Sequence, residues 1–307
     1  MKGHFVFLAV MLGGATLPLV AGQKESPQPR LAFVELDAVV VDDNDRPVRG
    51  LRQGDFQIKE DGRAVAVTTF TEVSAAGIAG RADGRSVVLL LDDTGVGPTA
   101  TTIVQNIARR FLSVVRPADS VAVVRLTHHD DEATGPLQIA LALVDEYRAK
   151  SVPYFGRETI EESLQALARI SKQLESIEHR RKAVICIGRR SLCDPYLGGV
   201  PENSLVWPAW KNAMSATARA NVSVYVVDPA GLSGQVDLGD GLVEKTGGAD
   251  FVRSNNFERA VERIWDEAGH YYLLGYTPTA RARDLHTIDV KVKGRGLHVR
   301  ARKQRGD

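Results

Sequence analysis

Cysteine is scarce in this sequence of 307 residues, and a charge excess of either sign and an internal membrane span are missing from it. Two cysteines, Cys186 and Cys193, allow at most one bridge, which excludes a scaffold stapled by disulfides. Thirty-nine basic residues face 38 acidic ones, so nothing draws the chain onto nucleic acid or anionic lipid. Beyond the amino terminus no stretch is apolar enough to cross a bilayer. What remains is a chain with 44% hydrophobic residues, longer than one typical domain and ample for a sizeable core.

The start of the chain is different. Met1-Lys2-Gly3-His4 is basic, and an apolar run over residues 5–20 follows it, broken by Gly13, Gly14 and Pro18. Ala21 and Gly22 offer small residues for cleavage, so residues 1–22 read as a signal peptide, with an uncleaved anchor as the alternative. The mature chain is expected to be exported, to the periplasm or the medium, with no membrane span left. In that setting Cys186, inside the apolar run 183–187, reads as a buried free thiol, with a bridge to Cys193 in the polar loop beyond as the alternative.

Four short apolar runs lie at residues 87–91, 121–126, 183–187 and 222–227. None alternates polar with apolar, so each is expected to be a strand buried on both faces, as parallel strands under helices are. Segments of helical period separate them. Ile160, Leu164, Leu167, Leu174 and Ile177 share one stripe, and Ile103, Ile107, Phe111 and Leu112 mark an inward face over residues 99–115. The expected core is therefore α/β, a doubly wound and mostly parallel sheet over residues 85–268. Residues 137–144 follow the second strand too closely for a crossover helix and are expected to form an antiparallel edge strand.

Both ends of the mature chain read as β-structure. Val34, Leu36, Ala38 and Val40 alternate, then Phe56 and Ile58, with turns at Asp43-Asn44-Asp45-Arg46-Pro47 and Glu60-Asp61-Gly62. Residues 271–276, 286–292 and 297–302 alternate in the same way. Neither end holds enough strands for a stable sheet, so residues 30–73 and 270–304 are expected to build one small β-sandwich together, joined to the core partly through the Ala- and Gly-rich residues 74–84. The basic tail 300–305 suits an exposed strand edge protected by charge.

The order of elements, with Val87-Val88-Leu89-Leu90-Leu91-Asp92 opening the sheet and Glu244-Lys245-Thr246-Gly247-Gly248 near its end, resembles a von Willebrand factor A domain. Two flanking segments, Arg52-Gln53-Gly54-Asp55-Phe56-Gln57-Ile58-Lys59-Glu60-Asp61-Gly62 and Tyr271-Tyr272-Leu273-Leu274-Gly275-Tyr276-Thr277-Pro278, resemble those of the exported A-domain-related proteins described from Acidobacteria. The resemblance implies a Rossmann-like core and a metal-ion-dependent adhesion site, where Mg²⁺ held by hard oxygen ligands captures a partner's carboxylate. Of that ligand set, Asp92 stands at the first position, Thr94 at the second, and Thr159 in the second loop. Val96 replaces a hydroxyl, and Gly188-Arg189-Arg190 stands where the family places its second carboxylate. The implied site is degenerate. Mg²⁺ on Asp92, Thr94 and Thr159, completed by Asp93 or Asp194, is one outcome; Asp92 and Asp93 capping the turn and pairing with Arg189 or Arg190 is the other.

The expectation is thus an exported, non-enzymatic protein without a cofactor, binding a protein partner at the carboxyl rim of its sheet. The alternative is an exported α/β hydrolase or metalloenzyme using Asp92, His128 and His129. The run Thr127-His128-His129-Asp130-Asp131-Glu132 follows the second strand on the same rim, but adjacent ligands point apart, and a solvated loop suits it better. Gly231-Leu232-Ser233-Gly234-Gln235 lacks the context of a nucleophile elbow, and Asp42-Asp43-Asn44-Asp45 reads as an Asx-rich turn rather than a calcium loop.

Overall fold

A computed structural model describes residues 33–74, 84–150, 157–177, 181–189, 204–233, 241–278 and 285–305. The signal segment, most of the linker at 74–84, Arg190, Cys193 and Asp194 lie outside the described residues.

The parallel sheet comprises β5 (Ser86–Leu91), β6 (Ser120–Arg125), β7 (Lys182–Ile187), β8 (Val222–Val227) and β9 (Asp250–Phe251). Its order is β6-β5-β7-β8-β9, with every neighbouring pair parallel. Alternate residues face opposite layers, as the pleat requires. Val87, Leu89, Leu91, Ala183, Ile185 and Ile187 join a core with α1 (Thr101–Ser113), α2 (Leu137–Glu146) and α6 (Phe257–Gly269). Val88, Leu90, Val184, Cys186, Val224 and Val226 join another with α3 (Arg157–Leu174), α4 (Trp207–Ala220) and α5 (Leu242–Thr246). Each fully buried Leu, Ile or Val contributes about 1.5–3 kcal/mol relative to exposure, which explains why these strands are continuous apolar runs. The winding reverses between β5 and β7, the switch point where open α/β sheets place their sites.

Residues 137–144 are helical, not an antiparallel edge strand. Pro136 precedes the first turn, Ala140 and Val144 are buried at helical spacing, and exposed Gln138 and Ala142 lie off that stripe. The apolar run satisfied both periods, and packing against β6 and α1 selected the helix. Within α1, Val104 faces inward while Ile103, expected inward, is 40% exposed.

The chain ends build two four-stranded antiparallel sheets. One has the order β12-β1-β10-β4, from β1 (Val34–Asp42), β4 (Thr69–Ser74), β10 (His270–Tyr276) and β12 (Leu297–Ala301). The other runs β13-β11-β2-β3, from β2 (Phe56–Glu60), β3 (Arg63–Val65), β11 (His286–Val292) and β13 (Gln304–Arg305). Each sheet takes two strands from each end of the chain. They share one core, where Leu36, Ala38 and Val40 meet Phe56, Ile58, Tyr272, Leu274, Ile288 and Val290. Strand β1 is buried on both faces, since Val39 and Val41 pack with Val73 and Tyr271 on the side away from that core.

The basic tail does lie on the edge strands β12 and β13, but its arginines are not left to solvent. Arg300 donates to Glu267, which is fully buried, and to Asp45 Oδ1 at 2.7 Å; Arg302 donates to the carbonyls of Ala218 and Glu35, both at 2.5 Å. Burial lowers the Arg302 pKa to about 10, against the opposing charge of Asp37. These guanidinium groups tie strand β12 and the residue after it to helices α6 and α4, which flank the parallel sheet.

Candidate functional site at the sheet rim

At the carboxyl end of β5 the chain leaves the sheet through Asp92 and Asp93, both about 1% exposed. A buried carboxylate must find donors or a cation. Asp92 Oδ1 accepts from the backbone N–H of Gly95 at 2.6 Å and of Thr94 at 3.0 Å, with the Thr94 hydroxyl at 3.5 Å. Its Oδ2 accepts the backbone N–H of Arg189 at 3.0 Å. Burial pushes the Asp92 pKa up, and these three N–H groups act against it. From beneath, the buried Tyr147 hydroxyl donates to the Asp92 carbonyl at 2.5 Å.

Asp93 turns toward β6. Its Oδ1 accepts from Thr127 N at 3.1 Å, and its Oδ2 from the Thr127 hydroxyl at 2.5 Å. Lys150 Nζ approaches Oδ2 at 3.4 Å and Thr127 Oγ1 at 3.2 Å, and His128 Nε2 lies 3.7 Å from Oδ2. Nothing in the sequence marked Lys150: it arrives from the loop after α2, pinned by its own N–H on the Asp93 carbonyl at 2.8 Å. Asp228, a buried rim carboxylate at the end of β8, was likewise missed; its Oδ1 accepts from Ala230 N at 2.9 Å.

The residues named for a metal are thus differently engaged. Asp92 and Thr94 bond each other, Thr159 sits half-buried in the first turn of α3, and Val96 is buried in the core shared with α1. Gly188 abuts Asp92: a Cβ there would lie 2.2 Å from Asp92 Cβ. Among the described residues this ligand set suits Mg²⁺ poorly, since that ion wants several hard oxygens at once and the Asp92 carboxylate already faces three amides. Where an ion pair with Arg189 or Arg190 was expected, Asp92 accepts the backbone N–H of Arg189, and Arg190 lies outside the described residues.

The three residues of the enzymatic alternative point to different partners. His128 approaches Asp93, His129 Nε2 lies 3.2 Å from Glu162 Oε1, and Asp92 faces backbone donors. Among the described residues no group of three or more His, Cys, Asp or Glu is placed to hold a metal ion. The 127–132 segment is a turn closed by Arg125, which donates to both oxygens of Asp131 at 2.9 Å. At the other end of the molecule, Asp42 Oδ1 accepts from Asn44 N and Arg46 N, each at 2.9 Å, an Asx-type turn.

Cys186 is disulfide-bonded, not a free thiol, and Cys193 is the only other cysteine in the sequence. The apolar surroundings of Cys186 suggested a simple hydrophobe, and residue spacing does not decide between a free thiol and a bridge.

Among the described residues no helix is long and apolar enough to cross a membrane. The chain matches no protein-family model and no curated protein sequence. Among solved structures, the human COPII-coat protein Sec24c aligns with a TM-score of 0.38 and 8% identity, over 73% of this chain and 44% of that one. The N-terminal domain of TFIIH p34 aligns with a TM-score of 0.31 and 12% identity, over 60% of this chain and 98% of that one. The chain therefore spans less than half the length of Sec24c. Likeness at this level assigns neither activity nor partner. The molecule's own topology defines its class: an α/β protein with a five-stranded parallel sheet and two added antiparallel sheets that share a core.

Proposed function

We propose that this chain is an exported, non-enzymatic relative of the von Willebrand factor A domain proteins, of the kind described from Acidobacteria, that binds a protein partner at the carboxyl rim of its sheet. Its degenerate adhesion site works without Mg²⁺. One observation carries this reading: the carboxylates of Asp92 and Asp93 are both engaged by the chain's own donors, while Lys150 and Arg189 stay exposed beside them. Fixed cations replace the metal at a rim over buried acids, and they suit an acidic group on the partner. The flanking segments of the resemblance fall on β2 and β10, strands of the paired antiparallel sheets, which supports a sandwich as part of the same architecture. The Cys186 disulfide is what an oxidising compartment permits, in keeping with export.

The test is affinity capture with the mature protein from the producing cell's envelope and medium, with and without chelator. Capture that survives chelator and is weakened by Lys150→Glu supports the reading. Capture abolished by chelator overturns the metal-free rim, and hydrolytic turnover lost in His128→Ala would establish the enzymatic alternative instead.

A further inference from the structure

At the opposite, amino-terminal end of the sheet, a cavity of about 40 Å³ lies among Gly84, Arg85, Arg116, Asp119, Arg181 and Tyr271. Arg85 and Arg181 precede β5 and β7, and Ser86 N donates to the Arg181 carbonyl at 3.0 Å, so the two lie side by side. Both are buried; the Arg181 side chain is 1% exposed. The Arg85 guanidinium stacks on Trp265, 4.7 Å from the ring centroid, and Arg181 lies over Tyr271 at 5.5 Å. With their faces covered, only their in-plane N–H edges are available to a ligand.

Three of those donors have no hydrogen-bond partner: Arg85 Nε, Arg181 Nε and Arg181 Nη1. The one lining carboxylate is already used. Asp119 Oδ1 accepts from Arg85 N at 2.9 Å, and Oδ2 from Arg116 N at 2.9 Å and Arg85 Nη1 at 3.2 Å. Asp37 Oδ2, which also lacks a hydrogen-bond partner, forms an ion pair with Arg181 Nη1 at 3.8 Å, but Asp37 does not line the cavity, so the lining itself offers the Nε donors no acceptor. Arg181 Nη2 is satisfied by the Tyr225 hydroxyl at 3.0 Å.

An unpaired buried guanidinium donor is costly, and a site lined by donors with its carboxylate spent calls for a ligand that only accepts. A water accepts two hydrogen bonds but must place two of its own protons. A halide has no protons to place, and the volume exceeds what one water requires. We infer that this cavity is a binding site for one small monoanion, chloride in the native setting, held between Arg85 and Arg181. The bound ion joins the base of the parallel sheet to the antiparallel sheet that carries Tyr271. This inference is independent of the rim reading.

The experiment uses the whole mature protein. Crystals grown in bromide are measured at the bromine absorption edge, and thermal unfolding is followed in sodium chloride and in sodium gluconate at equal ionic strength. The expected results are an anomalous peak within hydrogen-bond distance of Arg181 and Arg85, and a melting temperature that rises saturably with chloride but not with gluconate. Arg85→Lys, which retains the charge beside Asp119 and removes Nε, should shrink the chloride-dependent shift; Arg181→Gln should abolish it. If Arg181→Gln does not fold, the Arg85→Lys comparison and the bromide peak still decide. Water alone in the cavity overturns the inference, as does a bromide peak without any chloride-dependent stabilisation.

Discussion

Gly188 and Asp92 leave no space between them: a Cβ on residue 188 would sit 2.2 Å from Asp92 Cβ and 2.8 Å from Oδ2. The position that the A-domain pattern gives to a second carboxylate is thus closed to any side chain. Gly188→Ala should destabilise the protein by about 1–3 kcal/mol, the usual cost of overpacking a tight site, measured as a lowered urea midpoint with unchanged slope. A variant as stable as wild type would mean that the strand end at β7 can shift freely.

Tyr147 holds the rim from below. Its hydroxyl is buried on the Asp92 carbonyl, and burial together with Asp92 and Asp93 pushes its pKa far above the usual phenol value. Tyr147→Phe should cost about 1 kcal/mol, the net worth of such a hydrogen bond. An unchanged urea midpoint would contradict the placement.

The Arg125–Asp131 pair gives a pH signature. Burial raises the Asp131 pKa, but hydrogen bonds from Arg125 and the charges of Arg125 and His128 outweigh it and hold the group below 3.8. A depressed folded-state value adds stability that is fully present above the unfolded pKa and lost as pH falls through the folded one. Wild type should therefore exceed Asp131→Asn in stability at neutral pH, with the gap closing below about pH 4. A gap that is constant from neutral pH to pH 2 would show that the pair has no electrostatic role.

The antiparallel sheets stand or fall together. Strand β10 pairs with both β1 and β4, and β11 pairs with β2, so deleting residues 271–307 removes partners from three amino-terminal strands. Amide exchange should show β1, β2 and β4 unprotected in the truncated chain. Protection retained across residues 34–74 would refute the shared construction.

Much of this fold was legible because burial on both faces writes itself as unbroken apolar runs, and the four long parallel strands lie where those runs do. Residues 137–144 misled because an apolar run of that length fits a strand or a helix, and only the neighbours in space decide. The tail arginines looked exposed since alternation records two faces and not what covers them; here Glu267 and Asp45 meet Arg300. The rim was half legible. Asp92 announced itself at a strand end, whereas Lys150 and Tyr147 reach the site from a loop and a helix end that carry no motif, and an apolar run around Cys186 fits a free thiol and a bridged one equally.

The central claim is that the rim does without metal, and the melting temperature of the protein across a Mg²⁺ titration tests it most directly. A ligand with a Kd of ~1 mM at ~10 mM would stabilise the native state by about 1.4 kcal/mol, readily visible as a shift. The account predicts no rise beyond that given by an ionic-strength control. A rise that saturates with Mg²⁺ and disappears in Asp92→Ala would contradict it.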